Sequence, residues 1–184
     1  MKTPETFAAV LRGINVGGRN RLPMQELAAL FGALGHEDVV TYIQSGNVVF
    51  RGEGRPAEIA RRIETGIADR FGLEDVTVIL RNGRELGSIA VSSPFPVTDP
   101  TQLHVVFLDR RPAADAVSAL DPGRSPGDEF RIEGSEIYLR LPSGAGRTKL
   151  TLDWFERGLG VAGTSRNWNT LLRLVELTAA RADR

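Results

Sequence analysis

The order of apolar patterns in the first 81 residues leaves few folds open to this chain. Strand-like apolar segments and stripes at helical spacing alternate there as strand, helix, strand, strand, helix, strand. The strand-like segments are Phe7–Leu11, Val39–Ile43, Val48–Arg51 and Val76–Leu80. Pro23 and Pro56 stand where the two helices begin, a position that suits proline because it needs no backbone donor there. This order predicts the ferredoxin-like α+β arrangement.

The rest of the chain repeats this order with one change. A proline-rich connector with a short helix, residues 82–102, precedes a strand at Leu103–Leu108. A short helix, two strand-like segments and another helix follow, and a final helix at Trp168–Ala180 replaces the last strand. The sequence therefore predicts two ferredoxin-like βαββα(β) subdomains in tandem, residues 1–81 and 103–184, the second with a C-terminal helix.

The composition excludes several kinds of site. The chain has no cysteine, so disulfides, thiolate catalysis and cysteine-based zinc sites are excluded, and His36 and His104 are too few for a histidine-rich metal site. We expect His36 to be solvated, and His104 to be hydrogen-bonded or exposed. No apolar run approaches the roughly 20 residues that span a bilayer, and no signal peptide is visible. The simplest interpretation is a cytoplasmic protein that contacts no membrane and needs no metal or cofactor.

The charge is balanced overall but unevenly distributed. Lysine and arginine together number 23, as do aspartate and glutamate, so bulk charge does not favour nucleic acid. Residues 1–23 carry four basic side chains against one acidic, and residues 147–184 carry seven against four. Residues 109–136 carry four basic against seven acidic. The two basic ends could form one basic face, or the charges could be ordinary surface charges.

The first apolar run leads into Arg12 and a loop rich in glycine and asparagine. Gly13 and Gly18 have the spacing of a phosphate-binding P-loop, but Arg19 and Asn20 stand where that motif needs lysine and a hydroxyl. Nucleotide hydrolysis by a P-loop is therefore excluded. Backbone N–H groups of a glycine-rich turn, together with Arg12 or Arg19, can still hold an anion. The alternative is that the glycines form a tight turn and the asparagines bond their own backbone.

A second polar group lies in the turn Gln44–Asn47. Gly46 suits a two-residue hairpin turn, which does not also require Gln44 and Asn47. Amide side chains beside a turn can recognise the hydrogen-bond pattern of a ligand or a base edge. The alternative is a turn whose side chains bond only its own backbone.

A third polar group, Thr164–Thr170, precedes the final helix. Asn167 is a plausible N-cap, and the group holds more polar side chains than one cap needs. The free N–H groups of a helix N-terminus attract phosphate or carboxylate. Trp168 is more typical of a core position than of a stacking site.

Three stretches, LRGINVGGRN, TYIQSGNVVF and TSRNWNT, closely resemble the bacterial family called domain of unknown function 1697. The resemblance covers nearly the whole chain and implies an α+β fold with two ferredoxin-like subdomains, but no activity. Arg19 falls at a position that the family pattern leaves open. The positions that match the pattern are Arg12, Gly13, Asn15, Gly17, Gly18, Asn20, Gln44, Ser45, Gly46, Asn47, Arg166, Asn167, Trp168 and Asn169.

These features support three hypotheses. The first is a binding module for a phosphate-bearing or nucleic-acid partner, held by the three polar loops. The second is an enzyme that acts on a small anionic substrate, although no catalytic set of residues is visible. The third is structural, with the motifs buried and hydrogen-bonded to lock the two subdomains. The oligomeric state is left open. The candidate binding residues are Arg12, Asn15, Gly17, Gly18, Asn20, Gln44, Ser45, Asn47, Arg166, Asn167 and Asn169.

Overall fold

Two four-stranded antiparallel sheets organise the chain. The computed structural model describes residues 4–182. One unit comprises the chain up to Gly87 together with the chain from Leu174, and the second unit comprises Ser88–Arg173. Lys2, Asp183 and Arg184, which contribute to the charge of the two basic ends, lie outside the described residues. The subdomain boundaries expected from the sequence stay predictions.

The first unit has the strand order β2-β3-β1-β4, and every neighbouring pair is antiparallel. Its elements are β1 (Glu5–Arg12), α1 (Met24–Ala33), β2 (Glu37–Tyr42), β3 (Asn47–Gly52), α2 (Pro56–Phe71) and β4 (Thr77–Asn82). The predicted order of strands and helices is therefore confirmed. α3 (Gly83–Val91) follows β4, as the expected short helix.

The core of the first unit lies between its sheet and the helices α1 and α2. Alternate residues of a strand point to the same face, and Phe7, Ala9 and Leu11 present one such row to the core. The stripe Ile59, Ile63 and Ile67 of α2 is fully buried in the same cluster. β1 is buried on both faces, so its C-terminal end and the loop that follows are held in place by the sheet.

The second unit repeats this topology with the strand order β6-β7-β5-β8. Its elements are a 3₁₀ turn (Pro100–Gln102), β5 (Leu103–Leu108), α4 (Ala114–Ser118), β6 (Glu129–Glu133), β7 (Glu136–Arg140), α5 (Leu152–Leu159), β8 (Gly163–Asn167) and the start of α6 (Trp168–Ala182). The α+β fold with two similar tandem subdomains is confirmed. None of the helices among residues 4–182 is both long enough and apolar enough to cross a membrane.

The expectation that a helix replaces the last strand of the second half is wrong. Gly163–Asn167 forms β8, which pairs antiparallel with β5, so that Leu108 faces Gly163 and His104 faces Asn167. Its sequence lacks the apolar alternation of a half-buried strand. It forms a strand because it lies at the edge of the sheet, where backbone hydrogen bonds to β5 suffice.

Two local predictions are also wrong. The turn between β2 and β3 is a four-residue loop, residues 43–46, rather than a two-residue turn, and Ile43 (φ +50°) and Gly46 (φ +77°) both have left-handed backbone. His36 is 5% exposed rather than solvated. Its ring packs against Phe50 and Phe31, with centroid distances of 4.6 and 5.9 Å, so apolar neighbours from two elements cover it.

Candidate functional site

The loop after β1 turns back on itself within a few residues. The backbone N–H of Arg19 donates to Val16 O at 3.0 Å, and Gly17 and Gly18 between them have φ of +57° and +75°. The backbone N–H of Asn15 donates to Asn20 O at 3.1 Å. The glycines therefore form a tight turn, as one of the two interpretations of this loop expects.

The Asn15 side chain ties this turn to two other parts of the chain. Its Nδ2 donates to Leu22 O at 3.0 Å and to Gln44 O at 2.8 Å, and its Oδ1 accepts from Leu22 N at 2.9 Å. Asn20 Nδ2 donates to Gly13 O at 2.7 Å. Both asparagines use their amides to hold backbone.

The loop between β2 and β3 is held in a similar way. Asn47 is fully buried, and its Nδ2 donates to Tyr42 O at 3.1 Å and to Ser45 Oγ at 3.0 Å. The carbonyl of Gly46 accepts from the backbone N–H of Leu11 at 2.8 Å, which joins this loop to β1. The exposed Gln44 side chain makes no hydrogen bond to any residue in the range 4–182.

A pocket of about 570 Å³ lies where these two loops meet the start of α1. We call it the α1 pocket, and its lining residues are Asn15, Gly18, Arg21, Leu22, Pro23, Met24, Gln25 and Gln44. Leu22, Pro23 and Met24 give it an apolar wall. Arg21, Gln25 and Gln44, which carry one guanidinium and two amide groups, also line it.

The charge in and around the α1 pocket favours an anion. Arg21 is exposed, and no ion pair or side-chain hydrogen bond joins it to the described part of the chain. α1 begins after Pro23 with no side-chain cap, so its first N–H groups lack intrahelical partners and carry positive potential. Glu26, in the first turn, is paired with Arg70 at 2.9 Å and is not a lining residue.

Some of the site residues predicted in the first two loops line the pocket and the others do not. Asn15, Gly18 and Gln44 line the pocket. Arg12 is half-buried at the end of β1, interacts with other parts of the protein and does not line the pocket. The remaining residues form the surrounding loops and do not line the pocket, namely Gly17, Asn20, Ser45 and Asn47.

Sequence reasoning did not single out Arg21 and Gln25. Pro23 could have indicated them, because it marks the start of a helix. No side chain caps that start. A basic residue next to such an uncapped helix start is a typical anion-binding arrangement.

The third polar group lies in the second unit. Arg166 is 7% exposed, and its Nη1 donates to Thr164 Oγ1 at 2.6 Å and to Ser165 O at 2.8 Å. Burial lowers the pKa of Arg166 to about 10. Its environment is therefore that of a buried structural cation, which the polar atoms of its own strand help to satisfy.

Three neighbours of Arg166 have different roles. Asn167 Oδ1 accepts from the backbone N–H of Thr170 at 2.8 Å, which is the predicted N-cap of the last helix. Trp168 is buried and lies 6.4 Å from Tyr138 between ring centroids, in agreement with a core role. Asn169 is exposed. Because this group and the first two loops belong to different units, the meeting of all three loops stays a prediction.

The model of the family described as "Protein of unknown function (DUF1697)" matches residues 5–138. The chain belongs to this family. The DUF1697 protein is also similar in structure to the conserved bacterial protein SP0830 from Streptococcus pneumoniae, with a TM-score of 0.73 and 20% sequence identity. That similarity covers 96% of this chain and 99% of SP0830, and it shows a shared fold. None of the curated proteins matches the sequence.

Within residues 4–182 of this DUF1697 protein, no group of three or more histidine, aspartate or glutamate side chains is arranged to hold a metal ion. The lining of the α1 pocket includes no carboxylate, imidazole or hydroxyl side chain among the described residues. The described lining therefore carries groups that can hold a ligand by hydrogen bonds and charge, and none of the usual acid–base kind.

Proposed function

We propose that this protein is a binding module for a small phosphate-bearing ligand of mononucleotide size, held in the α1 pocket. The observation that carries the proposal is that Arg21 and the first residues of the uncapped helix α1 line one concave space. A guanidinium and free helix N–H groups together bind phosphate oxygens by charge-assisted hydrogen bonds.

The remainder of the pocket suits the rest of such a ligand. Its volume of about 570 Å³ falls within the usual range for small-molecule sites. Leu22, Pro23 and Met24 provide an apolar wall for a ring, and the amides of Gln25 and Gln44 can both donate and accept hydrogen bonds. This mixture favours a ligand with an anionic end and a flat, polar-edged body.

The absence of acid–base side chains from the described lining supports binding over catalysis. Nucleic-acid binding would need several cations to contact successive phosphates, whereas Arg21 is the one charged residue that lines this pocket among residues 4–182. A small ligand is therefore the better match to the geometry.

Calorimetric titration tests the proposal with three probes: inorganic phosphate, AMP and adenosine. We expect AMP to bind more tightly than adenosine. Doubling the salt concentration should lower the affinity for AMP only slightly, because the pocket holds a single phosphate. Arg21→Ala should weaken AMP at least tenfold, about 1.4 kcal/mol. Gln44→Ala should weaken it less, since a neutral hydrogen bond contributes about 1 kcal/mol.

Arg111→Ala is the matched control. Arg111 is exposed, lies in the second unit and makes no hydrogen bond or ion pair within the described chain. Arg111→Ala changes the net charge by the same amount as Arg21→Ala. Equal losses for Arg21→Ala and Arg111→Ala would show non-specific attraction and overturn the proposal. Equal affinities for AMP and adenosine would also overturn it. Tight binding of a 12-nucleotide single strand with a steep salt dependence would instead favour nucleic acid.

Arg166→Ala tests whether the site extends to all three loops. Weaker AMP binding by this folded variant would extend the site to the third polar group. Unchanged affinity would restrict the site to the first unit.

A further inference from the structure

A second pocket, of about 500 Å³, lies within the first unit between the start of β1, the start of α3 and the C-terminal half of α6. We call it the arginine pocket. Its lining includes Glu5 of β1, Arg51 of β3, Arg84 of α3 and Arg181 of α6. Among the described residues, three arginines and one glutamate line it, so the lining has an excess of two positive charges.

Two of these arginines have no carboxylate partner. Arg84 is exposed, and its side chain makes no hydrogen bond or ion pair with the described part of the chain. The Arg181 guanidinium donates from Nε to Asp38 O and from Nη1 to Leu177 O, both at 3.0 Å. Its Nη2 makes no hydrogen bond, and the group forms no ion pair, within residues 4–182. Two neutral carbonyls therefore fix this guanidinium without cancelling its charge.

The acidic residues around the pocket are exposed or bonded to other groups. Asp38 Oδ2 lies 3.6 Å from Nη1 of Arg51, the third arginine, and Asp38 does not line the pocket. Glu85 Oε2 accepts from the backbone N–H of Asn82 at 2.7 Å and is likewise outside the lining. Glu5 lines the pocket, but it is exposed and forms no ion pair with the described residues. The two uncompensated guanidinium groups thus stay available to a ligand.

The size and composition of the arginine pocket suit a small organic anion. A guanidinium binds a carboxylate or a phosphate by two parallel charge-assisted hydrogen bonds. The volume of about 500 Å³ falls within the range of small-molecule sites. Pro4, Val175 and Ala179 add apolar groups to the lining, against which a short carbon chain can pack. The lining therefore matches a molecule whose anionic groups are joined by a short apolar segment.

We infer that the arginine pocket binds a small molecule with two anionic groups, one held by Arg84 and the other by Arg181. The α1 pocket lies at the other end of β1, beyond Arg12. At 3.3 Å per residue, Glu5 and Arg12 at the two ends of this strand are about 23 Å apart. The arginine pocket is therefore a separate site, and it does not rest on the function proposed for the α1 pocket.

The test compares four dianions with one monoanion. The dianions are succinate, glutarate, adipate and 3-phosphoglycerate, and the monoanion is pentanoate, which has a methyl group in place of one carboxylate of glutarate. Each is titrated into the full-length protein labelled with ¹⁵N at about pH 7.5, where the carboxylates are charged, and followed by NMR.

We expect at least one dianion to bind about tenfold more tightly than pentanoate, because only a dianion engages both guanidinium groups. Amide signals of residues 83–86 and 175–181 should shift, while those of residues 15–25 report separately on the α1 pocket. Tightest binding of a dicarboxylate would identify the ligand class as dicarboxylates. Tightest binding of 3-phosphoglycerate at residues 83–86 and 175–181 would identify it as phosphorylated carboxylates.

Arg84→Gln removes one guanidinium at an exposed position that has no partner to lose, so this variant should fold. It should bring the affinity for the tightest dianion to within about twofold of that for pentanoate. Arg111→Gln, exposed in the second unit, changes the net charge equally and should leave the affinities unchanged. Arg181→Gln should act like Arg84→Gln if it folds, and Arg84→Gln decides if it does not.

Four results would each overturn the inference. They are equal binding of pentanoate and all four dianions, no binding of any dianion at millimolar concentration, equal losses for Arg84→Gln and Arg111→Gln, and shifts confined to residues 15–25.

Discussion

The Nδ2 atom of Asn15 donates to the backbone carbonyl of Gln44 at 2.8 Å, which joins two loops that are 29 residues apart in the sequence. The same side chain bonds both the N–H and the carbonyl of Leu22, just before α1. Asn15 therefore fixes the two sides of the α1 pocket relative to each other. The Gln44 side chain takes no part in this bond, and Gln44 is one of the residues that line the pocket.

Asn15→Ala should lower the free energy of unfolding by about 2–4 kcal/mol. It removes three hydrogen bonds worth about 1 kcal/mol each, and alanine at φ +53° adds roughly 1 kcal/mol of backbone strain. Urea unfolding measures the change. Gln44→Ala is the control, expected within about 0.5 kcal/mol, because Gln44 contributes only its carbonyl to the bond. An Asn15→Ala protein as stable as the control would contradict the role assigned to this side chain.

Gly46→Ala and Gly18→Ala separate backbone strain from steric overlap. Gly46 and Gly18 have nearly equal φ, +77° and +75°. Backbone strain from alanine should therefore lower the free energy of unfolding by about 1 kcal/mol at each position. A Cβ at position 46 would lie 2.8 Å from Ile14 Cδ1, whereas position 18 is open. Gly46→Ala should therefore cost a further 1–3 kcal/mol or so. Similar thermal denaturation midpoints for the two variants would refute this.

Asn167→Ala should destabilise the protein by about 1 kcal/mol, the usual loss for an N-cap whose side chain bonds the first turn. The measurement is the unfolding free energy in urea. Asn169→Ala, two residues on, is the paired control, since Asn169 is exposed and its side chain makes no hydrogen bond to the described residues. If both variants lose the same stability, the cap does not contribute as the geometry indicates.

His36 should make the protein less stable in mild acid. Burial, and secondarily the charge of Arg62, lower the pKa of His36 below its ordinary value of 6.5 in the folded state. As the pH falls, the unfolded chain therefore binds the proton at a higher pH than the folded protein does. The stability that neutral His36 contributes is complete above about pH 6.5 and is lost as the pH falls towards the pKa of the folded state. Arg51, Glu37 and Glu53 line the same small pocket as His36.

The measurement is the free energy of unfolding between pH 7.5 and pH 5. His36→Phe, which can keep the contacts with Phe31 and Phe50, should reduce the loss of stability on acidification. His104 contributes in the same direction, so His104→Phe in the same series separates the two histidines. A His36→Phe protein with the full acid sensitivity of the original would show that His36 is not the group that titrates.

The repeated α+β order could be predicted because apolar periodicity is a local property. Apolar residues at regular spacing indicate which face of a helix or strand is buried, without reference to the element that packs against it. The α2 stripe of Ile59, Ile63 and Ile67 and the β1 row of Phe7, Ala9 and Leu11 are examples. β8 could not be found in this way. Gly163–Asn167 is held by backbone pairing with β5, and backbone pairing leaves no apolar pattern in the sequence.

The burial of His36 also depends on tertiary contacts. A histidine after a helix stop is compatible with a solvated position, and only the arrival of Phe50 from another strand encloses the ring. The same holds for Arg166, which is 7% exposed although its neighbours in the sequence do not indicate burial.

The sequence by itself determined the secondary structure elements other than β8, the family and the three polar motifs of this protein, because each of these depends on residues that are close together in the sequence. Only the tertiary structure decided which motif side chains bond the backbone and which residues line the α1 pocket. Asn15, Asn47 and Gln44 are all amides in matching motifs, yet the side chains of Asn15 and Asn47 bond the backbone, whereas that of Gln44 makes no hydrogen bond to the described residues. An amide side chain forms hydrogen bonds with the groups that lie within about 3 Å of it in the folded protein. Residues distant in the sequence supply many of those groups.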